Sequence, residues 1–211
     1  MNLIASYQNQ GYQAVADGVT DFFNRRTDLH RNGVAFGQGE SNSNEVPVKT
    51  STDISLVGID RSDPEAFALS DLILRGVDAA LNQYLLERPL MRDCSPGCSL
   101  FVNPIFNIQR YAPGEGFKQW HCDWTITEEL TEPINRVLAW ILYCNNVESA
   151  GTEFFWQDHY ESAEKGKMIL FPAGLSHIHR GRVSQINTKT IATGWINVGT
   201  FQEYIARLAQ N

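Results

Sequence analysis

The chain has little cysteine and methionine, no long apolar run and no surplus of positive charge: four Cys and three Met stand among 211 residues. Without roughly 18 consecutive apolar residues, no helix spanning a membrane is expected. Lys and Arg number 17 against 24 Asp and Glu, a net charge of −7. A phosphate backbone requires clustered cations, so nucleic acid is not an expected partner, and neither is a membrane. The opening "MNLIASYQNQGYQ" lacks a basic stretch followed by a long apolar core. No secretory leader is read there, and a cytoplasmic location is the default expectation. Cys94 and Cys98 in "CSPGC" are near enough to pair, yet they read as free loop thiols in a reducing compartment.

What is present is an ordinary globular composition, 43% apolar and 19% charged, in a chain of single-domain length. "YQAVADGVTDFFNRR" places Val15, Val19, Phe22 and Phe23 at helical spacing. "SDPEAFALSDLILRGVDAALNQYLLERP" predicts a long helix with Pro64 in its first turn and Asp63 or Ser62 as N-cap. Between them, residues 33–53 are rich in Gly, Ser and Asn and predict a long loop, a candidate lid. From residue 99 the period becomes that of strands, read at 101–112, 117–124, 136–145, 152–156, 166–171, 176–183 and 188–198. "YAPGEG", "NNVESAG", "SAEKG" and "FPAG" supply turns, and "FQEYIARLAQ" a short closing helix. Helices followed by a run of short strands predict a mainly β, α+β fold: a jelly roll, or double-stranded β-helix of cupin-like form, buttressed by N-terminal helices. The single domain 1–211 then divides into helical support and a substrate-side loop (1–100), a β core (101–198) and a C-terminal helix (199–211).

One short stretch carries chemistry. In "QWHCDW", His121 and Asp123 project to one face if 117–124 is a strand, and Cys122 to the other. A third ligand must come from the remaining histidines. His30 lies between helix and loop and His159 in a charged stretch, whereas His177 and His179 in "FPAGLSHIHRGRV" occur together. Spacing alone does not choose between those two. Two histidines and one carboxylate on rigid strands are the facial set that binds non-haem Fe(II) and leaves positions open for O2 and a co-substrate. The same atoms offer a rival: His121, His177 and His179 with Asp123 make a closed zinc site.

The motifs "RYAPGEGFKQWHCDW", "RVLAWILYCNN", "AGTEFFW", "GKMILFPAG" and "HRGRVSQINTKTIATGWI" occur in this order. Over roughly residues 105–198 the chain thereby resembles the 2-oxoglutarate- and Fe(II)-dependent oxygenases, in their prolyl 4-hydroxylase-like branch. The resemblance implies His121, Asp123 and His179 as metal ligands, since "HRGRV" begins at His179 and Lys189 stands ten positions on. It implies that Lys189 binds the far carboxylate of the co-substrate 2-oxoglutarate, with the hydroxyls of Tyr111 and Tyr143 beside it. It further implies Fe(II), 2-oxoglutarate and O2 as reactants, with ascorbate as a possible reductant. The reaction expected is hydroxylation of an aliphatic C–H, coupled to conversion of 2-oxoglutarate to succinate and CO2. Asp123 bears on that choice, because related halogenating enzymes carry a small residue in place of the carboxylate. Trp124, Arg182 and Trp195 are candidates for the substrate groove. The expected partner is a protein or peptide bearing proline. A free amino acid or other small metabolite is the alternative, and a β-sandwich binding module with a structural metal is the reading outside enzymology. Residues 1–100 carry no family motif beyond a vague likeness in "KTSTDISL".

Overall fold

A computed structural model describes residues 2–33, 35, 48–93, 99–124 and 136–208. In chain order the elements are β1 (Ala5–Gln8), α1 (Gln10–Arg25), β2 (Arg31–Asn32), β3 (Lys49–Thr50), β4 (Thr52–Val57), α2 (Pro64–Glu87) and α3 (Leu90–Asp93). The second half holds β5 (Leu100–Tyr111), β6 (Gly116–Phe117), β7 (Arg136–Tyr143), β8 (Val147–Phe154), β9 (His159–Ala163) and β10 (Lys167–Pro172). β11 (His179–Gly181), β12 (Lys189–Val198) and α4 (Phe201–Leu208) complete it. Among the described residues no helix is long and apolar enough to cross a membrane.

Seven strands make an antiparallel sheet in the order β1-β10-β7-β12-β5-β4-β2, and β11-β8-β9 make a smaller one. β3 and β6 form a two-stranded ribbon. The architecture is mainly β with supporting helices, the jelly roll expected from the strand run.

The period-2 pleat explains why the main sheet carries two different surfaces. On β7, Leu138, Trp140 and Leu142 point to one face and join Phe106, Ile108, Ile54, Ala192 and Leu170. That face takes α1 through Tyr12, Ala16, Val19, Phe22 and Phe23, and α2 through Ile73, Val77, Leu81 and Tyr84. The alternate residues Ala139, Ile141 and Tyr143 point the other way, toward Phe154 and Ala150 of the small sheet. Gly194 belongs to the helix-side face, where an added Cβ would lie 2.9 Å from Phe106 Cβ and 3.0 Å from Trp140 Nε1. The backbone there approaches two aromatic side chains too closely for any other residue.

Caps fix the helix starts. The Asn9 side chain accepts from the N–H of Tyr12, and Asp63 accepts from Glu65 and Ala66 N–H ahead of Pro64. Asp63, not Ser62, is therefore the cap.

Several predicted boundaries are corrected. The strand expected at 117–124 stops at Phe117; beyond it His121 makes only an isolated bridge to His179. The strand expected at 176–183 is β11 alone, because residues 175–177 turn into a 3-10 helix. β8 starts at Val147, before the predicted 152, and 155–158 form a turn. The loop expected to reach residue 53 ends sooner, since 49–50 and 52–57 are strands. Its residues 34 and 36–47 lie outside the described residues, as do Cys94 and Cys98. β1, β2 and β9 were not anticipated, and β1 and β2 are edge strands too short for a periodic signal.

Candidate metal centre and its cavity

Between the two sheets lies a cavity of about 780 Å³ that reaches from Lys189 and Tyr143 to Trp124 and Trp195. His121, Asp123 and His179 offer it three ligand atoms that all lie within 4.8 Å of one another. The cluster is not built by a strand pleat. The backbone N–H of His121 donates to His179 O at 3.0 Å, and that of His179 to His121 O at 2.9 Å. This mutual pair brings the imidazoles to a centroid distance of 4.3 Å. Asp123 is aimed separately, by its N–H donating to Ala173 O and by Arg136 Nη1 donating to Asp123 O, both at 2.9 Å.

Each histidine has its tautomer set by the chain. His121 Nδ1 donates to Gln119 O and His179 Nδ1 to His177 O, both at 3.0 Å, so each Nε2 is free to ligate. Burial pushes His121 down to about 4, and the neighbouring His179 adds to the shift. The ring therefore stays neutral, the form that binds a metal. Phe117 stacks on His121 at 3.7 Å and Phe171 meets His179 edge-on at 4.7 Å, which holds both rings.

The donor set fits a divalent cation on one further observation. Asp123 Oδ2 is buried and makes no hydrogen bond among the described residues; His179 Nε2 is 3.7 Å away, beyond hydrogen-bonding range. An unsatisfied buried carboxylate oxygen costs several kcal/mol, roughly, unless a cation meets it. Two imidazole nitrogens and this oxygen lie together at one end of the cavity.

Of the predicted companions, Lys189 lies in the same cavity, buried, with Nζ donating to Ala150 O at 2.7 Å and Arg182 O at 3.0 Å. Those bonds leave one of three ammonium donors for a ligand. Burial lowers its pKa to about 8. The Tyr111 ring lies 5.2 Å from Nζ. Tyr111 and Tyr143 line the cavity, and burial pushes both hydroxyls well above the ordinary tyrosine value. Tyr111 donates to Gln109 Oε1 at 2.5 Å, and Tyr143 shares a 2.7 Å bond with Thr152.

His177 is not a member of the cluster. Its ring lies in a separate depression with Asn2, Leu3, Gln157 and His159, and only its carbonyl reaches the site. That removes the four-ligand zinc arrangement. Cys122 is likewise outside the ligand cluster, although it touches the cavity wall. Trp124 and Trp195 line the outer end. Trp124 packs over Gly174 and donates to Arg136 O, and Trp195 lies 3.6 Å beneath the Arg136 guanidinium. Arg182 departs from expectation: its side chain turns away from the cavity to Glu153 at 2.5 Å and covers Tyr160, so only its backbone carbonyl serves the site.

Sequence reasoning missed Lys49, Asp53, Asn107, Gln109 and Arg136, all of which line the cavity. Lys49 Nζ donates to Asp53 at 2.6 Å as a buried ion pair. For Asn107 and Gln109 a signal existed, because "FNIQ" alternates apolar and polar residues, and here the polar phase faces inward.

Residues 106–197 match the family model of the 2OG-Fe(II) oxygenase superfamily. No curated protein sequence matches the chain significantly. Among solved structures, the fold is similar to the viral collagen prolyl hydroxylase of Paramecium Bursaria Chlorella virus-1, solved with 2OG. The TM-score is 0.62 at 14% identity, covering 94% of this chain and 97% of that one. A Pseudomonas putida prolyl-4-hydroxylase gives 0.62 at 14% identity, covering 93% of each chain. The Trichoplax adhaerens prolyl hydroxylase, solved with a hypoxia inducible factor peptide fragment, gives 0.63 at 12% identity over 98% and 87%. Residues 106–197 thus match the 2OG-Fe(II) oxygenase superfamily model, and the fold is one that solved prolyl hydroxylases share.

Proposed function

We propose that the protein is a 2-oxoglutarate- and Fe(II)-dependent dioxygenase that hydroxylates a peptidyl proline, with His121, Asp123 and His179 as the iron ligands. The observation that carries this reading is the unsatisfied, buried Asp123 Oδ2 beside the two imidazoles in the cavity that also holds Lys189. When bound, Fe(II) would supply the activation of O2 with 2-oxoglutarate that oxidises an aliphatic C–H.

The chain's own residues do the rest. The two Nδ1–H bonds to backbone carbonyls hold the imidazoles with Nε2 toward the metal point. The Lys189 ammonium, fixed by two carbonyls, donates its remaining N–H to the far carboxylate of 2-oxoglutarate. Tyr143 and Tyr111 wall the same end with protonated hydroxyls, that of Tyr111 donating to Gln109 Oε1. Ile141, Ala139 and Phe171 exclude water from the region between, which protects a reactive oxidant from side reactions. The Trichoplax prolyl hydroxylase holds a peptide fragment in its complex, which supports a peptide substrate for a chain of the same fold.

Anaerobic addition of Fe(II) and 2-oxoglutarate tests the assignment. Wild type is expected to develop a visible charge-transfer band, and Asp123→Ala to lose it. The same band at full affinity in Asp123→Ala would rule out this ligand set. Mass spectrometry for a gain of one oxygen on proline peptides tests the substrate class.

A further inference from the structure

We infer that the depression holding the His177 ring is a second metal site, taking a divalent cation of the zinc class on His159, His177 and Gln157. The inference goes beyond the oxygenase reading and concerns side chains that iron and co-substrate leave unused.

The depression has a volume of about 410 Å³ and is lined by Asn2, Leu3, Gln157, His159 and His177. It shares no lining residue with the cavity that holds His121, Asp123 and His179. Three segments meet in it: the chain leading into β1, the turn at 155–158 with the start of β9, and the 3-10 helix Leu175–His177 ahead of β11. Gln157 Nε2 donates to Ser176 O at 2.8 Å, which fastens the turn to the 3-10 helix.

The hydrogen bonds around these side chains leave lone pairs over. His159 Nε2 lies 2.9 Å from Glu161 Oε1. A carboxylate only accepts, so Nε2–H donates and Nδ1 of the neutral ring keeps its lone pair. A carboxylate behind an imidazole is also what orients a metal-binding histidine and raises its basicity. His177 is only 5% exposed, and its Nδ1 lies 3.0 Å from the Ser176 hydroxyl. That hydroxyl accepts as well as donates, so Nδ1 can carry the ring proton and leave Nε2 for a metal. Among the described residues Nε2 makes no hydrogen bond. Gln157 commits its nitrogen to Ser176, while its Oε1 is buried and makes no hydrogen bond among the described residues. A buried acceptor left unmet is costly, and a cation in the depression would meet it.

The donor types select the ion. Two imidazole nitrogens and one uncharged oxygen suit Zn2+ and its neighbours, with water as a fourth ligand. Mg2+ and Ca2+ call for oxygen-rich sets built on carboxylates. Bound there, the ion would tie the three segments together at the residue whose carbonyl accepts from His179 Nδ1. Its role is therefore structural support beside the iron centre.

Anaerobic titration of the untagged apoprotein with zinc chloride, against a chromophoric zinc chelator, tests the site. Wild type is expected to bind two equivalents, one at the iron ligands and one in the depression. His179→Ala disables the iron set and should keep one; His159→Ala should keep the other, together with the charge-transfer band of Fe(II) and 2-oxoglutarate. The double variant should bind none. Glu161→Ala is expected to weaken the second equivalent about tenfold. Zinc should raise the thermal midpoint of His179→Ala and leave that of the double variant unmoved. A single equivalent in wild type, or two still bound by His159→Ala, overturns the inference. So does displacement of the second equivalent by millimolar Mg2+, which would mark a carboxylate site elsewhere. The iron assignment is judged separately, by the band in Asp123→Ala.

Discussion

The two faces of the seven-stranded sheet come from the same strands and differ most along β5 and β12. Toward the helices, Leu138, Trp140, Leu142, Phe106 and Ile108 form a continuous apolar layer under α1 and α2. Toward the small sheet, the intervening positions of β5 and β12 hold Asn107, Gln109, Tyr111, Thr193 and Lys189. The first face is held by non-directional burial, worth roughly 1.5–3 kcal/mol per large side chain. The second is held by directed bonds: carbonyls to Lys189, hydroxyls to the two amides, backbone carbonyls to the two imidazoles. Stability and chemistry are thus separated by one residue along each strand, so a substitution should disturb one and spare the other.

The separation can be tested from its largest expected consequence downward. His179→Ala should lower iron affinity and turnover by more than a hundredfold while the thermal midpoint stays near wild type, read by iron titration and calorimetry. His177→Ala, two residues away, keeps the carbonyl that orients His179 and should cost iron affinity no more than about tenfold, the lower end for outer partners of a ligand. The reverse order would undo the ligand choice. Phe106→Ala is the counterpart on the helix face. It should destabilise the fold by about 3–5 kcal/mol in a denaturant titration, with iron and 2-oxoglutarate affinities of the folded fraction unchanged.

Lys189→Met should raise the 2-oxoglutarate KM by ten- to a hundredfold and leave iron binding intact. The same residue gives a pH dependence of definite sign. Its pKa is lowered to about 8 by burial, and the ammonium is the form that meets a carboxylate. kcat/KM for 2-oxoglutarate should then fall as pH rises through about 8, and Lys189→Met should abolish that limb. The smallest effect belongs to Arg182→Ala. Its side chain is paired with Glu153 outside the cavity, so steady-state constants should stay within twofold.

Much of this was legible because it depends on local order. The apolar spacing of α1 and α2, Pro64 after Asp63, and the strand run from residue 99 are short-range signals. The pairing of His121 with Asp123 was legible too, although for a different reason than the pleat suggests. A lone bridge to β11 and an N–H bond to Ala173 do what a strand was expected to do. Lys49 and Asp53 were not legible, since they sit at the junction of two short strands with no periodic signal. Arg182 was misread because adjacency to a ligand says nothing about side-chain direction once β11 pairs with β8 and offers it Glu153.

By itself the sequence determined which residue types stand at which intervals: helices before strands, a His-x-Asp, a later histidine and a lysine ten positions beyond it. Those are properties of neighbours along the chain, where backbone period and side-chain chemistry suffice. Only the tertiary structure set the His177 ring in a separate depression, turned Arg182 outward, and set the amides of Asn107 and Gln109 with their oxygens pinned. Each of those outcomes depends on a partner far away in sequence, and strand register, which long-range packing imposes, selects it.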